Sequence, residues 1–237
     1  MMNIIVTGAS RGIGYELVKL LSTDSKNTVI AISRNGYKLD QLKGECLSQN
    51  SSANVMPIVC DLSDKNAIEG LVSELTKKIK KVNILINNAG ALINKPFGTI
   101  STADLEYVYN VNVFSVVRLI QGIFPLLDLE KRSHIVNISS MGGFQGSAKF
   151  AGLSAYSSSK AALACLTECL AEEFKEKNIA FNCLALGATQ TEMLNEAFPG
   201  YKAPLTADKM AAFIADFSLN AHQYMNGKII PVSLSTP

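Results

Sequence analysis

Tyr156 and Lys160 stand at i and i+4, so a helix over this stretch sets a phenol and an ammonium one turn apart on one face. That pairing suits general acid–base chemistry. A free tyrosine, with a pKa of about 10, yields its proton poorly at neutral pH, and a nearby cation lowers that value by roughly 1–3 units. Such a phenol gives a proton to a carbonyl oxygen during reduction or takes one from an alcohol during oxidation, while a neighbouring serine hydroxyl holds the oxygen. The spacing does not select the pair by itself, because Tyr15/Lys19 and Tyr224/Lys228 repeat it. Context does. Tyr15/Lys19 lies inside the helix that follows a glycine loop, Tyr224/Lys228 spans the Asn226-Gly227 turn, and only Tyr156 opens a helix soon after a strand ending in Ser139-Ser140.

The second chemical feature is Thr7-Gly8-Ala9-Ser10-Arg11-Gly12-Ile13-Gly14, placed between the apolar run 2–6 and a helical pattern reaching about Leu21. Three glycines at this spacing let the backbone turn tightly and approach a pyrophosphate, whose charge the free N–H groups of the helix start attract. A dinucleotide is therefore expected here, although glycine triplets also form plain turns.

These residues need elements to position them. Ile/Val-rich runs at 3–6, 28–32, 54–59, 83–86, 134–138, 179–184 and 228–232 alternate with longer segments of helical periodicity. Continuous apolar strands alternating with helices predict an α/β, doubly wound Rossmann fold: about seven parallel strands with helices on both faces, ligands gathering at the strands' carboxyl ends. Ser63-Asp64 announces a helix near 65–80, Ser101-Thr102 one near 103–110, and Ser154 stands ahead of one from about 156 to 177. Five strand ends then share one edge: the glycine loop, Cys60-Asp61-Leu62, Asn87-Asn88-Ala89-Gly90, Asn137-Ile138-Ser139-Ser140, and Leu186-Gly187-Ala188-Thr189-Gln190-Thr191. Polar residues end strands in many wet loops, but five such ends on one edge describe a cleft.

Composition narrows the function classes. At 237 residues with no Pro/Ser/Gly-rich linker, residues 1–237 read as one domain that both binds the dinucleotide and catalyses. Hydrophobic residues at 48% against 18% charged suit a compact globule, and a net charge of +2 is too small to imply a nucleic-acid partner. Five cysteines without C-x-x-C spacing, together with only two histidines, indicate neither a disulfide frame nor a metal site. With no signal-like leader and no membrane-length apolar run, a cytoplasmic location is the expectation.

Taken in order, Thr-Gly-x-x-x-Gly-x-Gly at 7–14, Asn-Asn-Ala-Gly at 87–90, Asn112, Ser139-Ser140 and Tyr156-x-x-x-Lys160 resemble the short-chain dehydrogenase/reductase family, over residues 3 to 232. The resemblance implies an oxidoreductase that interconverts a carbonyl and a secondary alcohol by hydride transfer, with Asn112, Ser140, Tyr156 and Lys160 as its catalytic group. Asn112 would hold a water that relays protons to Lys160, and Lys160 would bind the nicotinamide ribose. Ser139 is the alternative to Ser140, and a kinking or capping asparagine is the alternative for Asn112. The resemblance also places Thr7, Gly8, Ser10, Gly12, Ile13, Gly14, Leu62, Ala89, Gly90, Gly187, Thr189 and Thr191 around the cofactor, with Asp61 accepting from the adenine amino group and Asn88 on the adenosine side.

After the second strand the chain reads Ala31-Ile32-Ser33-Arg34, with no carboxylate for a ribose 2′-hydroxyl and an arginine able to fork onto a 2′-phosphate. Arg11 adds a second cation where relatives using NADP often carry one, so NADP(H) is expected over NAD(H). Several positions depart from the family pattern. Leu186-Gly187 replaces Pro-Gly, the stretch 141–153 is long, and the stretch after Thr191 is short enough to imply a small lid. The chain ends Ile229-Ile230-Pro231-Val232-Ser233-Leu234-Ser235-Thr236-Pro237 in place of Asp-Gly-Gly, which bears on the usual subunit contact. Phe144, Phe150, Leu153, Met193 and Phe198 are candidates for an apolar substrate wall or for core. Apolar faces on the helices near 103–130 and 156–177 match those that relatives pair into homodimers or homotetramers. Two other readings stay open: a non-catalytic dinucleotide sensor or scaffold of the same fold, and a redox-neutral epimerase or dehydratase.

Overall fold

A computed structural model describes residues 1–234. Its principal strands are β1 (Met2–Thr7), β2 (Asn27–Ser33), β3 (Asn54–Val59), β4 (Ile84–Asn87), β5 (Ser133–Ser140), β6 (Ile179–Leu186) and, last in the chain, β9 (Lys228–Val232). They form one parallel sheet in the order β3-β2-β1-β4-β5-β6-β9. All seven runs read from the sequence are strands, and the doubly wound Rossmann architecture stands. Central strands such as β2 and β6 are buried nearly end to end, as strands covered on both faces must be. The sheet's two prolines, Pro57 in β3 and Pro231 in β9, sit on edge strands, where a missing N–H leaves no ladder bond unmade inside the sheet.

Two apolar layers cover the sheet. One gathers α1 (Gly12–Leu21), α2 (Gly36–Gln49) and α8 (Ala207–Asn220) on residues such as Ile4, Val6, Val136 and Leu184. The other sets α3 (Lys65–Lys78), α5 (Ser115–Ile123) and α6 (Ser154–Glu173) on Ile5, Leu85, Ile135 and Phe181. The chain reverses its winding direction between β1 and β4, and the crevice at their carboxyl ends is where ligands of such sheets bind.

Three local features differ from the sequence reading. The helix expected over 103–130 is two helices, α4 (Thr102–Tyr109) and α5, joined by five residues of wider π-helical pitch, Asn110–Phe114. Asn112 sits in that turn, which agrees with its helix-kinking alternative. Ser154 does not cap α6; it is the first helical residue, behind Leu153, which makes no side-chain cap bond. Asp64 and Ser101 do cap α3 and α4, the latter in a reciprocal capping box with Asp104. Finally, two short strands not anticipated, β7 (Thr189–Gln190) and β8 (Leu205–Thr206), pair in parallel after β6 and bracket the six-residue α7 (Glu192–Ala197). Of the atypical chain end, Ser235, Thr236 and Pro237 lie outside the described residues.

His134 in β5 is fully buried, with Nδ1 2.9 Å from the Ser218 carbonyl and Nε2 3.0 Å from the Asn182 amide nitrogen. These partners assign a neutral ring that donates through Nδ1 and accepts through Nε2. Burial pushes its pKa down to about 4. The unfolded chain therefore takes up a proton that the folded one refuses, so stability is lost as pH falls from about 6.5 towards 4, by roughly 3 kcal/mol for the full window. His222, lowered by burial in the same direction, adds to the slope. Thermal unfolding between pH 8 and 4.5 should show Tm falling from about pH 6.5 downwards, with a shallower fall in His134→Gln; a wild-type Tm that stays flat from pH 7 to 5 contradicts the neutral, buried ring.

Candidate active site

The carboxyl ends of the strands enclose a cleft of about 840 Å³. The glycine loop contributes Gly8, Ser10, Arg11, Gly12 and Ile13 to it, β2 ends there in Ser33 and Arg34, and Asp61 and Leu62 follow β3. Beyond β4 come Asn88, Ala89 and Gly90. Ser140, Tyr156 and Lys160 lie across from them, and Gly187, Thr189 and Thr191 close the far side. Thr7, Gly14 and Asn112 stand behind this lining.

Thr7 is a brace. Its hydroxyl accepts from the N–H groups of Asn88 and Ala89, each at 3.0 Å, and ties the β1 and β4 ends together. Asn88 returns the tie through Nδ2 to the Thr7 carbonyl at 2.9 Å. The resulting approach is so close that a Cβ on Gly8, whose φ is +71°, would lie 2.8 Å from Ala89 Cα. Gly14 packs directly on the Gly8 carbonyl. α1 starts behind Arg11 with no side-chain cap bond, and its position directly behind the glycine loop leaves its first-turn N–H groups for a phosphate. The cradle fits a dinucleotide.

The two expected arginines are not both free. Arg11 is held in a two-pronged ion pair by Glu196 on α7, which keeps the Glu196 carboxyl below the usual range. Arg34 is exposed, 3.9 Å from the Asp61 carboxylate and 3.5 Å from the Tyr107 hydroxyl. Asp61 spends its other oxygen on the Ser63 N–H and hydroxyl. Ser33 donates to Ser10 at 2.7 Å. Lys38, four residues beyond Arg34 on the first turns of α2, also lines this end. The sequence reading passed over it, because Arg34 precedes α2 and no helical spacing links the two.

At the opposite end, α6 presents its first turns to the end of β5. Ser139 does not reach for a substrate; its hydroxyl is buried and donates to the Lys160 carbonyl at 2.7 Å. Ser140 is the serine in the open, its hydroxyl accepting from the Gly142 N–H at 3.2 Å and bonded with Tyr156. Lys160 is buried, donates to the Ile138 carbonyl at 2.8 Å, and has Nζ 5.9 Å from the Tyr156 ring centre. Burial drops its pKa to about 8. Burial also raises the Tyr156 phenol, with the Ser140 bond opposing. The expected lowering of the phenol by Lys160 is thus absent in the protein alone: at this separation desolvation outweighs the cation. Asn112 is fully buried, donating to the Ala91 carbonyl at 2.9 Å and Ser159 at 2.8 Å and accepting from the Ala91 N–H at 2.8 Å. Both of its N–H donors are spent on bracing, so water could be held only by a remaining acceptor.

Of the apolar candidates, Phe150, Leu153, Met193 and Phe198 line the cleft, while Phe144 does not. Thr189 donates to the Gly187 carbonyl at 3.4 Å, and the Thr191 hydroxyl caps α7 by accepting from Leu194 N–H at 3.2 Å. Gly187, behind its Leu186 departure, bonds through N–H to the Val232 carbonyl at 2.8 Å. Among the described residues no cluster of three His, Cys, Asp or Glu side chains fit for a metal occurs, and no helix is long and apolar enough to cross a membrane.

Comparison with known proteins gives a match of residues 2–202 to the family described as short chain dehydrogenase. The chain is 32% identical over 192 residues to a fatty acyl-CoA reductase of Acinetobacter baylyi, which covers 80% of this chain but 63% of that protein. It is 29% identical over 240 residues to a 3-oxoacyl-(acyl-carrier-protein) reductase of Thermotoga maritima, 96% of this chain and 94% of the relative. A short chain dehydrogenase from Burkholderia cenocepacia, crystallised in complex with NADP, superposes with a TM-score of 0.86 at 25% identity, covering 98% of this chain and 96% of that one.

Lys160 makes the site measurable without substrate. Its ammonium costs the folded state stability below pH 8, and the cost fades as pH rises from about 8 to 10.5, where the unfolded chain also loses the proton. Lys160→Met should therefore gain stability relative to wild type at pH 7, by up to roughly 3 kcal/mol before the lost Ile138 bond is subtracted, and the gain should shrink towards pH 10. A Tm difference independent of pH between 7 and 10 contradicts this.

Proposed function

Because the chain belongs to the short-chain dehydrogenase family of oxidoreductases, we propose that it interconverts a carbonyl and a secondary alcohol by hydride transfer with NADP(H), in one domain that both binds and catalyses. The observation that carries this reading is the meeting of Ser140, Tyr156 and Lys160 on one wall of the cleft whose other end is the uncapped glycine loop. Bound NADP(H) supplies the hydride donor or acceptor. Ser140 holds the substrate oxygen, and Tyr156, a phenol that is protonated at neutral pH and that burial raises further, delivers the proton to it in the reducing direction. Lys160 would hold the nicotinamide ribose, and Asn112 fixes the α6 start and the β4 end that carry the other groups.

Preference for the 2′-phosphate rests on Arg34 and Lys38 at the adenosine end, with no carboxylate at the end of β2 to repel it. Arg11 contributes only when Glu196 releases it. Association into homodimers or homotetramers through the outer faces of α5 and α6 belongs to the same reading, and light scattering measures it.

The test is NADPH consumption over a carbonyl panel, with NADH in parallel. Tyr156→Phe should lose at least 100-fold in kcat/KM while still binding NADPH; a variant as active as wild type removes Tyr156 from the chemistry. Reduction should also decline above about pH 8, where Lys160 loses its proton. Glu196→Gln should tighten NADPH several-fold and leave NADH unchanged, since only the phosphate competes for Arg11; equal effects on both cofactors would contradict the competition.

A further inference from the structure

The substrate end of the cleft is built by three segments joined to one another. After β4, Asn94 donates through Nδ2 to the Ala197 carbonyl at the end of α7 at 3.0 Å, and the next residue, Lys95, donates its N–H to the Gly152 carbonyl at 3.0 Å. Two adjacent residues thus staple the wall that follows β5 to the wall that follows β6. Most of what these walls turn inward is apolar, Phe150 and Leu153 from one and Met193, Phe198 and Pro204 from the other; the Tyr201 phenol also lines the second wall, and Glu192 turns its carboxylate towards Gly12 and Arg11.

Several of the walls' polar groups are bonded within them. The Ser147 hydroxyl bonds the Met141 and Phe144 carbonyls, Lys149 donates to the Phe144 carbonyl at 2.7 Å, and Gln190 bonds Asn195 and the Ala203 N–H. Lys95 turns its ammonium to Asp104, 2.8 Å away. The cations that do line the cleft are elsewhere: Arg11, Arg34 and Lys38 at the dinucleotide end, and Lys160 beneath the reacting position. A substrate bearing a carboxylate or phosphate remote from its carbonyl would bury that charge against Phe150, Met193 or Phe198 without a partner, whereas an apolar body gains from the same contact.

Resting on the oxidoreductase reading above, we propose that the site takes an uncharged, apolar carbonyl compound such as an aryl or alicyclic ketone, enclosed between the two walls that Asn94 and Lys95 staple together. The closing experiment compares 4-methylacetophenone with 4-acetylbenzoate, which differ in charge at the position remote from the carbonyl. Their equilibrium binding is measured by calorimetry on the protein saturated with NADP+, and their reduction is followed separately with NADPH. Binding at least tenfold tighter for the methyl compound is expected; equal binding, or tighter binding of the carboxylate, overturns the proposal. Met193→Lys should narrow the ratio by placing a cation on the wall, and an unchanged ratio overturns the assignment of that wall to the substrate. Selective binding without turnover of either ketone would count against the oxidoreductase reading while leaving the apolar assignment standing, so the two failures are distinguishable.

Discussion

The structure depends on how closely the end of β5 and the beginning of α6 are pressed together. Gly143, just past β5, lies on the backbone of Lys160 and Ala161 so tightly that a Cβ there would come within 2.6 Å of the Ala161 nitrogen. Ser139 bonds the Lys160 carbonyl, and Lys160 bonds the carbonyl of Ile138. A buried chain of amides and a hydroxyl, Asn87 to Asn137 to Thr167, ties β4, β5 and α6 in series deeper in the fold. Because these bonds are buried, breaking any one strands a polar group, so the helix cannot slide or roll cheaply. That rigidity keeps an ammonium in the interior without a carboxylate partner, and the same burial raises the phenol beside it. The acid–base character of the site follows from packing more than from the charge of Lys160.

The dinucleotide end works by a different balance. Its cations stand in solvent-facing positions and lean on carboxylates that a phosphate could replace, Glu196 for Arg11 and Asp61 for Arg34. Exposed pairs of this kind contribute little to stability, on the order of 0–1 kcal/mol each, so exchanging them for a phosphate costs little. Glu196 sits on α7, one of the two walls around the substrate end, so the ion pair also joins the glycine loop to that wall. Cofactor recognition and the shape of the substrate end therefore share a residue.

Much of this was legible in the sequence because it is local. Each of the seven strands is a short continuous apolar run, and Asp64 and Ser101 mark their helices through bonds made within three residues. The glycine loop, the strand-end motifs and Tyr156/Lys160 fall along one edge because a parallel sheet puts its carboxyl ends together. What escaped was set by distant partners or by subtle pitch. Arg11 meets Glu196 across 185 residues, which no spacing rule reveals. The π turn at Asn110–Phe114 differs from an α-helix by one residue of register, and its apolar pattern reads as helix either way. The raised phenol escaped as well, because spacing reports the proximity of a cation but not the depth at which both groups are buried.

The most direct test of burial as the source of the site's proton chemistry is an NMR titration of the lysine side chains labelled at Cε, in wild type and Lys160→Met. One resonance titrating near pH 8, missing from the variant, is the predicted result. If every lysine titrates near the ordinary value of about 10.4, Lys160 is solvated, and the account of a desolvated ammonium setting this site is wrong.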